Sequence, residues 1–313
     1  MTAWDRVERL IGSDNLGKLR QKRVGIIGLG SGGGFVALSL AMSGVGKFVL
    51  MDDDLLEAGN VVRHVADQRD VGRPKAEAVA DLLRQRNPNV QVETRIGRLE
   101  TNLDALDGLD IVVSGLDGEG PKYVLNQACL ERGLTAIYAG VYERGEGGDV
   151  VIIRPNTGGP CYACWAAELR EGLALSDIDT NEELDYGMIG PEGTLEAEPG
   201  LWLHVTRIAA TQADMTLNEL LAGTNVHRQM PANTVIIANT ALEIMTGQIS
   251  QPYTAVWVNI QRDPHCLVCG DALRNNLASD TAEEVSLDSL MKTTGIALEE
   301  DAEERSSVHG NAE

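Results

Sequence analysis

The sequence predicts an α/β fold: a Rossmann-like, doubly wound, mostly parallel sheet with a late antiparallel extension and a four-cysteine zinc site. Two observations predict the sheet. A strand, a glycine-rich turn and a helix follow one another near the amino terminus, and apolar runs then alternate with helical segments. A third observation, two distant Cys-x-x-Cys pairs, predicts the zinc site.

The first predicted elements are a strand at Val24–Gly28, which ends in the glycine cluster, and a helix over residues 33–43. Another helix starts near Gly72, with Pro74 in its first turn, where a missing N–H is harmless. Tyr123–Arg132 also reads as a helix. Further strands are predicted at Phe48–Met51, Val90–Thr94, Ile111–Ser114, Thr135–Ala139 and Val150–Ile153.

The pattern changes after Pro160. We expect a long helix at Leu201–Leu221, a strongly apolar second helix at Thr234–Met245 and a late strand at Thr254–Ile260. The 313 residues thus divide into four predicted parts. These are a nucleotide-binding half at 1–170, an acidic crossover loop at 171–198, a second half at 199–275 that completes the sheet and the zinc site, and an acidic, disordered tail at 276–313.

The charge balance restricts the classes of partner. The net charge is −21, and the predicted tail alone holds ten acidic and two basic residues. Such a surface repels phosphate backbones, so a nucleic acid is not expected as the main partner. No apolar stretch approaches the roughly 18 residues of a membrane span, and no signal peptide is visible. We therefore expect a soluble, cytoplasmic protein with reduced cysteines.

A nucleotide-binding turn is predicted after the first strand. Gly28, Gly30 and Gly33 fit the Gly-x-Gly-x-x-Gly pattern between a strand and a helix, where backbone N–H groups can receive a phosphate. Asp52 lies at the end of the second strand, nineteen residues after Gly33, where a carboxylate can bind ribose hydroxyls. These features suit ATP and NAD equally, and a glycine-rich turn without a ligand is the alternative.

Four polar residues follow the strand ends where such a fold binds its ligand: Asn60, Arg63, Lys75 and Asp117. Two cations beside a pyrophosphate favour transfer of an adenylyl group, which must neutralise charge on three phosphates, over hydride transfer. Asp117 could hold the bridging Mg²⁺. Each residue alone has another interpretation, as a solvated charge or, for Asp117, as a turn former before Gly118.

The cysteine pairs indicate a structural metal site. Cys161, Cys164, Cys266 and Cys269 supply four thiolates, a complete tetrahedral set for zinc that leaves no position open for water. His265 in place of one cysteine and a redox role for one pair are the alternatives. The fifth cysteine, Cys129, stands in a helical pattern and is interpreted as a small buried residue.

Together these motifs resemble the ThiF/MoeB/HesA branch of the ubiquitin-activating superfamily. The likeness rests on the glycine pattern, Asp52-x-Asp54, Asn60-x-x-Arg63, the run Val71-Gly72-Arg73-Pro74-Lys75, Asp117 and the paired cysteines, and it spans residues 6 to about 270. It implies a homodimer that uses ATP and Mg²⁺ to adenylate the carboxyl-terminal glycine of a small ubiquitin-like or sulfur-carrier protein ending in Gly-Gly.

The resemblance also implies residue roles. Asp52 would hold the ribose and, with Asp54, belong to the nucleotide site; Asn60, Arg63 and Lys75 would hold the phosphates. Arg6-Val7-Glu8-Arg9 looks like the family's Arg-x-x-Arg element, so Arg9 would reach the ATP site of the partner subunit. An ordinary helix residue is the alternative for Arg9.

Two departures from the family pattern bear on the reaction. His64 stands where the family usually has Gln, and no cysteine occurs between Cys164 and Cys266. The reaction would then stop at the acyl-adenylate, or a downstream protein would supply the accepting thiol. The alternatives to carrier activation are adenylation of a peptide or tRNA-borne carboxylate, a non-catalytic scaffold subunit, and an NAD-dependent oxidoreductase, for which no hydride-transfer constellation is visible.

Overall fold

The computed structural model describes residues 3–174, 200–245 and 247–271. The helices, in chain order, are α1 Asp5–Ile11, α2 Ser13–Leu19, α3 Ser31–Met42, α4 Lys75–Arg86, α5 Glu119–Arg132, α6 Tyr162–Ala174 and α7 Trp202–Leu220. The strands are β1 Arg23–Ile27, β2 Lys47–Asp52, β3 Gln91–Ile96, β4 Ile111–Ser114, β5 Ala136–Val141, β6 Gly147–Ile153, β7 Thr234–Ala238, β8 Leu242–Met245, β9 Gln248–Ser250 and β10 Ala255–Val258.

Eight strands form one sheet in the order β10-β7-β6-β5-β4-β1-β2-β3. The pairs from β3 to β5 are parallel. The pairs β5–β6, β6–β7 and β7–β10 are antiparallel. The predicted fold class is therefore confirmed, including the late antiparallel extension.

Helices cover both faces of the sheet, as a doubly wound fold requires. On one face, α3, α4 and α7 pack against apolar side chains of β1, β2 and β4, with Val36, Val79 and Ile208 among the buried contacts. On the other face, α5 and α6 contribute Leu125 and Trp165. The central strands are buried on both sides and read as continuous apolar runs rather than as alternating patterns.

One predicted helix is wrong. Thr234–Met245 forms two strands, β7 and β8, instead of a buried helix. A short continuous apolar run has no period that distinguishes a fully buried strand from a buried helix. In Thr234–Ala238 the β-branched residues favour the strand, and β7 lies between β6 and β10 with every residue buried.

The other predicted elements are confirmed with small changes at their ends. The helix predicted at Leu201–Leu221 is α7, and the late strand is β10, at the edge of the sheet. α6 runs to Ala174, four residues into the range predicted as the crossover. The rest of that range and the predicted tail lie outside the described residues. Among the described helices, none has the length and apolar character needed to cross a bilayer.

Candidate nucleotide site and cysteine cluster

A large cavity opens at the carboxyl edge of the parallel strands. Its volume is about 1410 Å³, and its wall includes the ends of β1, β2 and β4. The sheet order reverses at β1, since β2 and β4 lie on opposite sides of it, and open α/β sheets bind ligands at that switch point. The volume exceeds the range of about 300–1,000 Å³ that is typical for one small ligand.

The glycine-rich turn forms the floor of this cavity. Gly28 has φ = +88°, a backbone conformation that residues with a side chain rarely adopt. A Cβ on Gly33 would lie 1.9 Å from the Gly28 carbonyl oxygen, so the start of α3 packs directly on the turn. Gly30, by contrast, faces open space within the cavity wall. These residues therefore leave the N–H groups at the start of α3 open to a phosphate, which fits a nucleotide.

Asp52 connects the end of β2 to this turn. Its carboxylate accepts the Leu29 N–H at 2.6 Å and the Asp54 N–H at 2.9 Å, and the residue is 9% exposed. Burial raises the pKa of Asp52, whereas the two N–H bonds and the charge of Lys75 act in the opposite direction. A carboxylate has about four acceptor positions, so two remain for ligand hydroxyls.

Lys75 lies at the start of α4 with its side chain 12% exposed. Its Nζ is 2.6 Å from Asp54 Oδ2, and its backbone N–H donates to the Asp54 carbonyl at 3.0 Å. Further backbone bonds join Leu56 to Arg73 and Gly72 to Leu56, each at 2.8 Å. The segment before α4 is thus attached to the end of β2, which holds the ammonium at the cavity wall.

Asn60 and Arg63 lie in a 3₁₀ segment, Ala58–Arg63, that follows β2. The Asn60 side chain accepts the Glu57 N–H at 3.1 Å as part of a capping box. Arg63 is exposed on the cavity wall, and no residue in the described ranges pairs with its guanidinium. The structure thus brings both residues to the same cavity as Lys75.

His64 is buried behind the glycine-rich turn, 6% exposed. Its Nδ1 accepts the Ala66 N–H at 3.0 Å, so in the neutral ring Nε2 carries the proton and donates to the Leu29 carbonyl at 2.7 Å. Burial lowers the pKa of His64, which favours this neutral form. The ring thereby offers one donor and one acceptor, as the amide of a Gln would.

Asp117 and Arg9 differ in position. Asp117 follows β4, is exposed and lies on the cavity wall beside the start of α5. Arg9 lies on α1, outside the cavity wall, with its side chain 72% exposed and 3.1 Å from Asp5. The structure therefore brings together every predicted nucleotide-site residue except Arg9, whose expected role requires a second subunit.

Two residues of this cavity are not among those predicted from the sequence. Lys122 lies in the first turn of α5, only 4% exposed, on the wall of the same cavity as Asp117. Gln212 on α7 is 2% exposed and donates to the carbonyls of Ser114 and Ile137, which joins β4 to β5 at the cavity. For Lys122, the sequence signal was its position at a helix start, five residues after Asp117. For Gln212, no neighbouring residue in the sequence indicated its hydrogen bonds to β4 and β5.

The four predicted cysteine ligands form one cluster. Cys161 Sγ is 3.8 Å from the Sγ atoms of Cys164 and Cys266, and Cys164 Sγ is 3.3 Å from that of Cys269. All four sulfurs lie within 4.8 Å of one another. A tetrahedral site with Zn–S bonds of about 2.3 Å separates its sulfurs by roughly 3.8 Å, so the four thiols fit zinc.

Neither His265 nor Cys129 belongs to this cluster. His265 is exposed and its backbone N–H donates to Asp263, while the four cysteines alone make up the cluster. Cys129 is 2% exposed in the core, and burial raises its pKa to about 12. A thiol with such a pKa is almost wholly protonated near neutral pH and is a poor nucleophile.

Comparison with known proteins identifies relatives over most of the chain. Residues 5–250 match the model of the ThiF family. A SAMP-activating enzyme E1 of Haloferax volcanii is 33% identical over 196 residues, 62% of this chain and 71% of that protein. Ubiquitin-like modifier-activating enzyme 5 of Drosophila ananassae is 32% identical over 197 residues, 55% of this chain and 50% of that protein. This chain thus spans only half the length of the second relative.

Solved structures share the fold. E. coli MccB with ATP superimposes with a TM-score of 0.60 at 23% identity, over 82% of this chain and 69% of that chain. PaaA superimposes with a TM-score of 0.58 at 19% identity, over 82% of this chain and 73% of that chain. At these identities the likeness concerns the architecture alone.

Proposed function

The chain belongs to the ThiF family of ATP-dependent adenylyltransferases, and we propose that it activates the carboxyl-terminal glycine of a small ubiquitin-like or sulfur-carrier protein ending in Gly-Gly. In this reaction the glycine carboxylate attacks the α-phosphorus of ATP and pyrophosphate leaves. The product is an acyl-adenylate. The chain supplies no nucleophile; its contribution is to align the two reactants and to neutralise charge.

One observation carries the proposal: a single cavity collects an open glycine-rich turn, the carboxylate of Asp52 and the cations Arg63 and Lys75. The turn and Asp52 serve any nucleotide with a ribose and a phosphate. The two cations, in contrast, match a triphosphate whose charge changes during the reaction. This combination favours adenylyl transfer over hydride transfer.

The proposed roles follow from these positions. Asp52 accepts hydrogen bonds from the ribose hydroxyls, and Asp54 holds the Lys75 ammonium at the phosphates. Asn60 donates a hydrogen bond from its side-chain amide to a phosphate oxygen, and Arg63 pairs with other phosphate oxygens. Asp117 is the residue that would hold Mg²⁺, which neutralises part of the triphosphate charge when it is bound.

The part of the cavity on the antiparallel side of the sheet suits the acyl substrate. Beyond Asp117 its wall continues along Tyr142, Gly145, Leu201 and Leu242, on the antiparallel side of the sheet. The excess volume over a single small ligand leaves room for an extended carboxyl-terminal tail beside the nucleotide. A peptide carboxylate fits the same space, so adenylation of a peptide is the second candidate.

Three further features complete the proposal. The match of Arg6-Val7-Glu8-Arg9 to the family's Arg-x-x-Arg element supports a role for Arg9 as an arginine finger at the cavity of a partner subunit, and Arg9 is exposed and lies outside the cavity of its own chain. No cysteine lies between Cys164 and Cys266 to accept the acyl group, so the reaction stops at the acyl-adenylate or a thiol of another protein accepts the acyl group. The cysteine cluster has the residues for a structural zinc that ties the start of α6 to the segment after β10.

The direct test is ATP–pyrophosphate exchange with two substrates, a carrier protein ending in Gly-Gly and the same carrier without its last glycine. Exchange with the intact carrier alone supports carrier activation. Exchange with a short peptide but not with any carrier supports the second candidate. Absence of Mg²⁺-ATP binding by calorimetry would indicate a scaffold subunit and refute both.

A further inference from the structure

Lys122 is a buried cation that has N–H donors left to bind a ligand. Its side chain is 4% exposed, yet it lies on the wall of the cavity that Asp117 also lines. An ammonium has three N–H donors, and burying it is costly unless they are paired. Within the described part of the chain, only Glu119 accepts from it, at 3.0 Å. Two donors therefore remain for a group that enters the cavity.

Glu119 joins Lys122 to a second buried side chain. One carboxylate oxygen of Glu119 accepts from Lys122, and the other accepts the hydroxyl of Tyr162 at 3.0 Å. Glu119 is itself 38% exposed in its side chain, whereas Tyr162 is 1% exposed. The carboxylate is thus held from its buried side by a rigid phenol and in turn holds the ammonium.

Tyr162 lies between two members of the cysteine cluster, Cys161 and Cys164. Its N–H donates to Asn126 on α5 at 3.0 Å. Its ring packs on Tyr138 and Trp165, with centroid distances of 4.4 and 5.2 Å. The position of the phenol hydroxyl therefore depends on the conformation of the cysteine pair on either side of it.

We propose that Tyr162, acting through Glu119, positions the Lys122 ammonium to bind a phosphate of the nucleotide, and so links the cysteine cluster to the nucleotide cavity. Tyr162 and Glu119 are positioning residues, because neither lies at the reacting atoms. The inference rests on the proposed function, since it requires a phosphate in the cavity. It adds a cation to Arg63 and Lys75 and gives the cysteine cluster a role in nucleotide affinity.

The test compares Kd values for Mg²⁺-ATP and Mg²⁺-AMP by calorimetry, together with the zinc content of each variant. Lys122→Met should weaken ATP binding at least tenfold, and Tyr162→Phe and Glu119→Gln should each weaken it about three- to tenfold, because each removes one hydrogen bond of a charged group. Zinc content should equal that of the wild type. The double variant Tyr162→Phe/Glu119→Gln should bind ATP no more weakly than Glu119→Gln alone.

A comparison of the Kd values for ATP and AMP shows which phosphate Lys122 binds. A loss for both ATP and AMP in Lys122→Met assigns the α-phosphate, and a loss for ATP alone assigns the β- or γ-phosphate. Matched controls remove the same groups elsewhere: Tyr253→Phe at an exposed ring and Lys22→Met in a surface ion pair. Neither control should change either Kd.

Unchanged ATP affinity in Lys122→Met, with wild-type unfolding temperature and zinc content, would overturn the inference. Additive losses in the double variant would overturn the link through Glu119. If the wild-type protein bound no ATP at all, the proposed function itself would fail, which is a distinct result. Glu119→Gln leaves the aromatic packing around Tyr162 intact, so the inference stays testable even if Tyr162→Phe folds poorly.

Discussion

Lys75 Nζ and Asp54 Oδ2 form a 2.6 Å ion pair at the wall of the cavity, and a backbone hydrogen bond of 3.0 Å joins the same two residues. The lysine is largely buried while its partner is 64% exposed. Asp54 thus holds the ammonium in place from the solvent side. An arriving triphosphate meets a cation whose position is already set, which reduces the cost of ordering it.

Lys75→Ala should therefore reduce affinity for Mg²⁺-ATP by about 100-fold, because the variant removes a positioned charge at the phosphates. Calorimetric titration measures the change. The matched control is Lys22→Ala, which breaks an ion pair of 2.7 Å with Asp110 near the opposite end of β1. Equal ATP affinity in Lys75→Ala and Lys22→Ala would contradict the assignment of Lys75.

Gly33→Ala and Gly30→Ala should separate folding from binding. A Cβ on Gly33 would overlap the Gly28 carbonyl, a backbone atom, so this variant should lose about 3 kcal/mol of unfolding free energy. Gly30 has no heavy atom within 4 Å of its Cβ position, so Gly30→Ala should lose less than about 1 kcal/mol, the preference for Gly over Ala at a helix N-cap. It should nevertheless weaken ATP binding, because the methyl group occupies the space of the phosphate. Urea unfolding and calorimetry check the two effects, and wild-type ATP binding by a folded Gly30→Ala would argue against a phosphate at this turn.

The neutral ring of His64 should make the nucleotide turn sensitive to acid. Burial sets the pKa of His64 below its ordinary value of 6.5, with Lys75, Asp52 and Asp70 as the charged groups that act on it. Between the two pKa values the unfolded chain binds more protons than the folded one, so this residue's contribution to stability is full above about pH 6.5 and falls as the pH falls below it. Protonation of His64 at Nδ1 would also place an N–H donor against the Ala66 N–H and remove the hydrogen bond between them.

Substitution of His64 tests that account. His64→Gln keeps one donor and one acceptor, so it should retain ATP affinity and lose less stability between pH 7.5 and 5.5 than the wild type. His64→Leu removes both bonds and should weaken ATP binding and stability at every pH, by about 1–3 kcal/mol in stability because the Leu29 carbonyl and the Ala66 N–H remain buried. Urea unfolding at the two pH values provides the measurement. The same pH dependence in the wild type and His64→Gln would show that another group is responsible.

The cysteine cluster should bind one zinc ion per chain. Cys266→Ser should lose the metal and destabilise the protein, because the cluster joins two segments far apart in sequence and structural zinc contributes directly to folding. Cys129→Ala is the matched control, since this buried cysteine lies outside the cluster. Metal analysis and thermal unfolding check both variants; full zinc content in Cys266→Ser would refute the four-cysteine site.

Local chemistry explains which parts of the site were predictable. Gly28, Gly33 and Asp52 occupy fixed places in a strand–turn–helix unit, and the structure brings them together with Lys75 and Asp117 because all follow strand ends at one edge. The cysteine pairs have an equally specific spacing. These positions depend on neighbours in sequence and on the sheet order, both of which the alternation of apolar runs indicates.

Other features depend on contacts that sequence does not display. The apolar run Thr234–Met245 does not distinguish a helix from strands in the sequence, because a segment buried on both faces has no readable period. Lys122 resembles a solvated residue of a helix start, and only the packing of α5 against the cavity reveals its burial. The tautomer of His64 follows from two backbone groups, at Leu29 and Ala66, whose approach is set by the tertiary fold.

In the proposed reaction, this cavity joins a carrier's terminal glycine to the α-phosphorus of ATP. Incorporation of labelled pyrophosphate into ATP reports on that step without any downstream acceptor. We expect incorporation with the wild-type chain, Mg²⁺ and a carrier ending in Gly-Gly, and a near-complete loss with Lys75→Ala or with the carrier lacking its last glycine. Incorporation that is independent of Lys75 and of any carboxylate substrate would contradict the account.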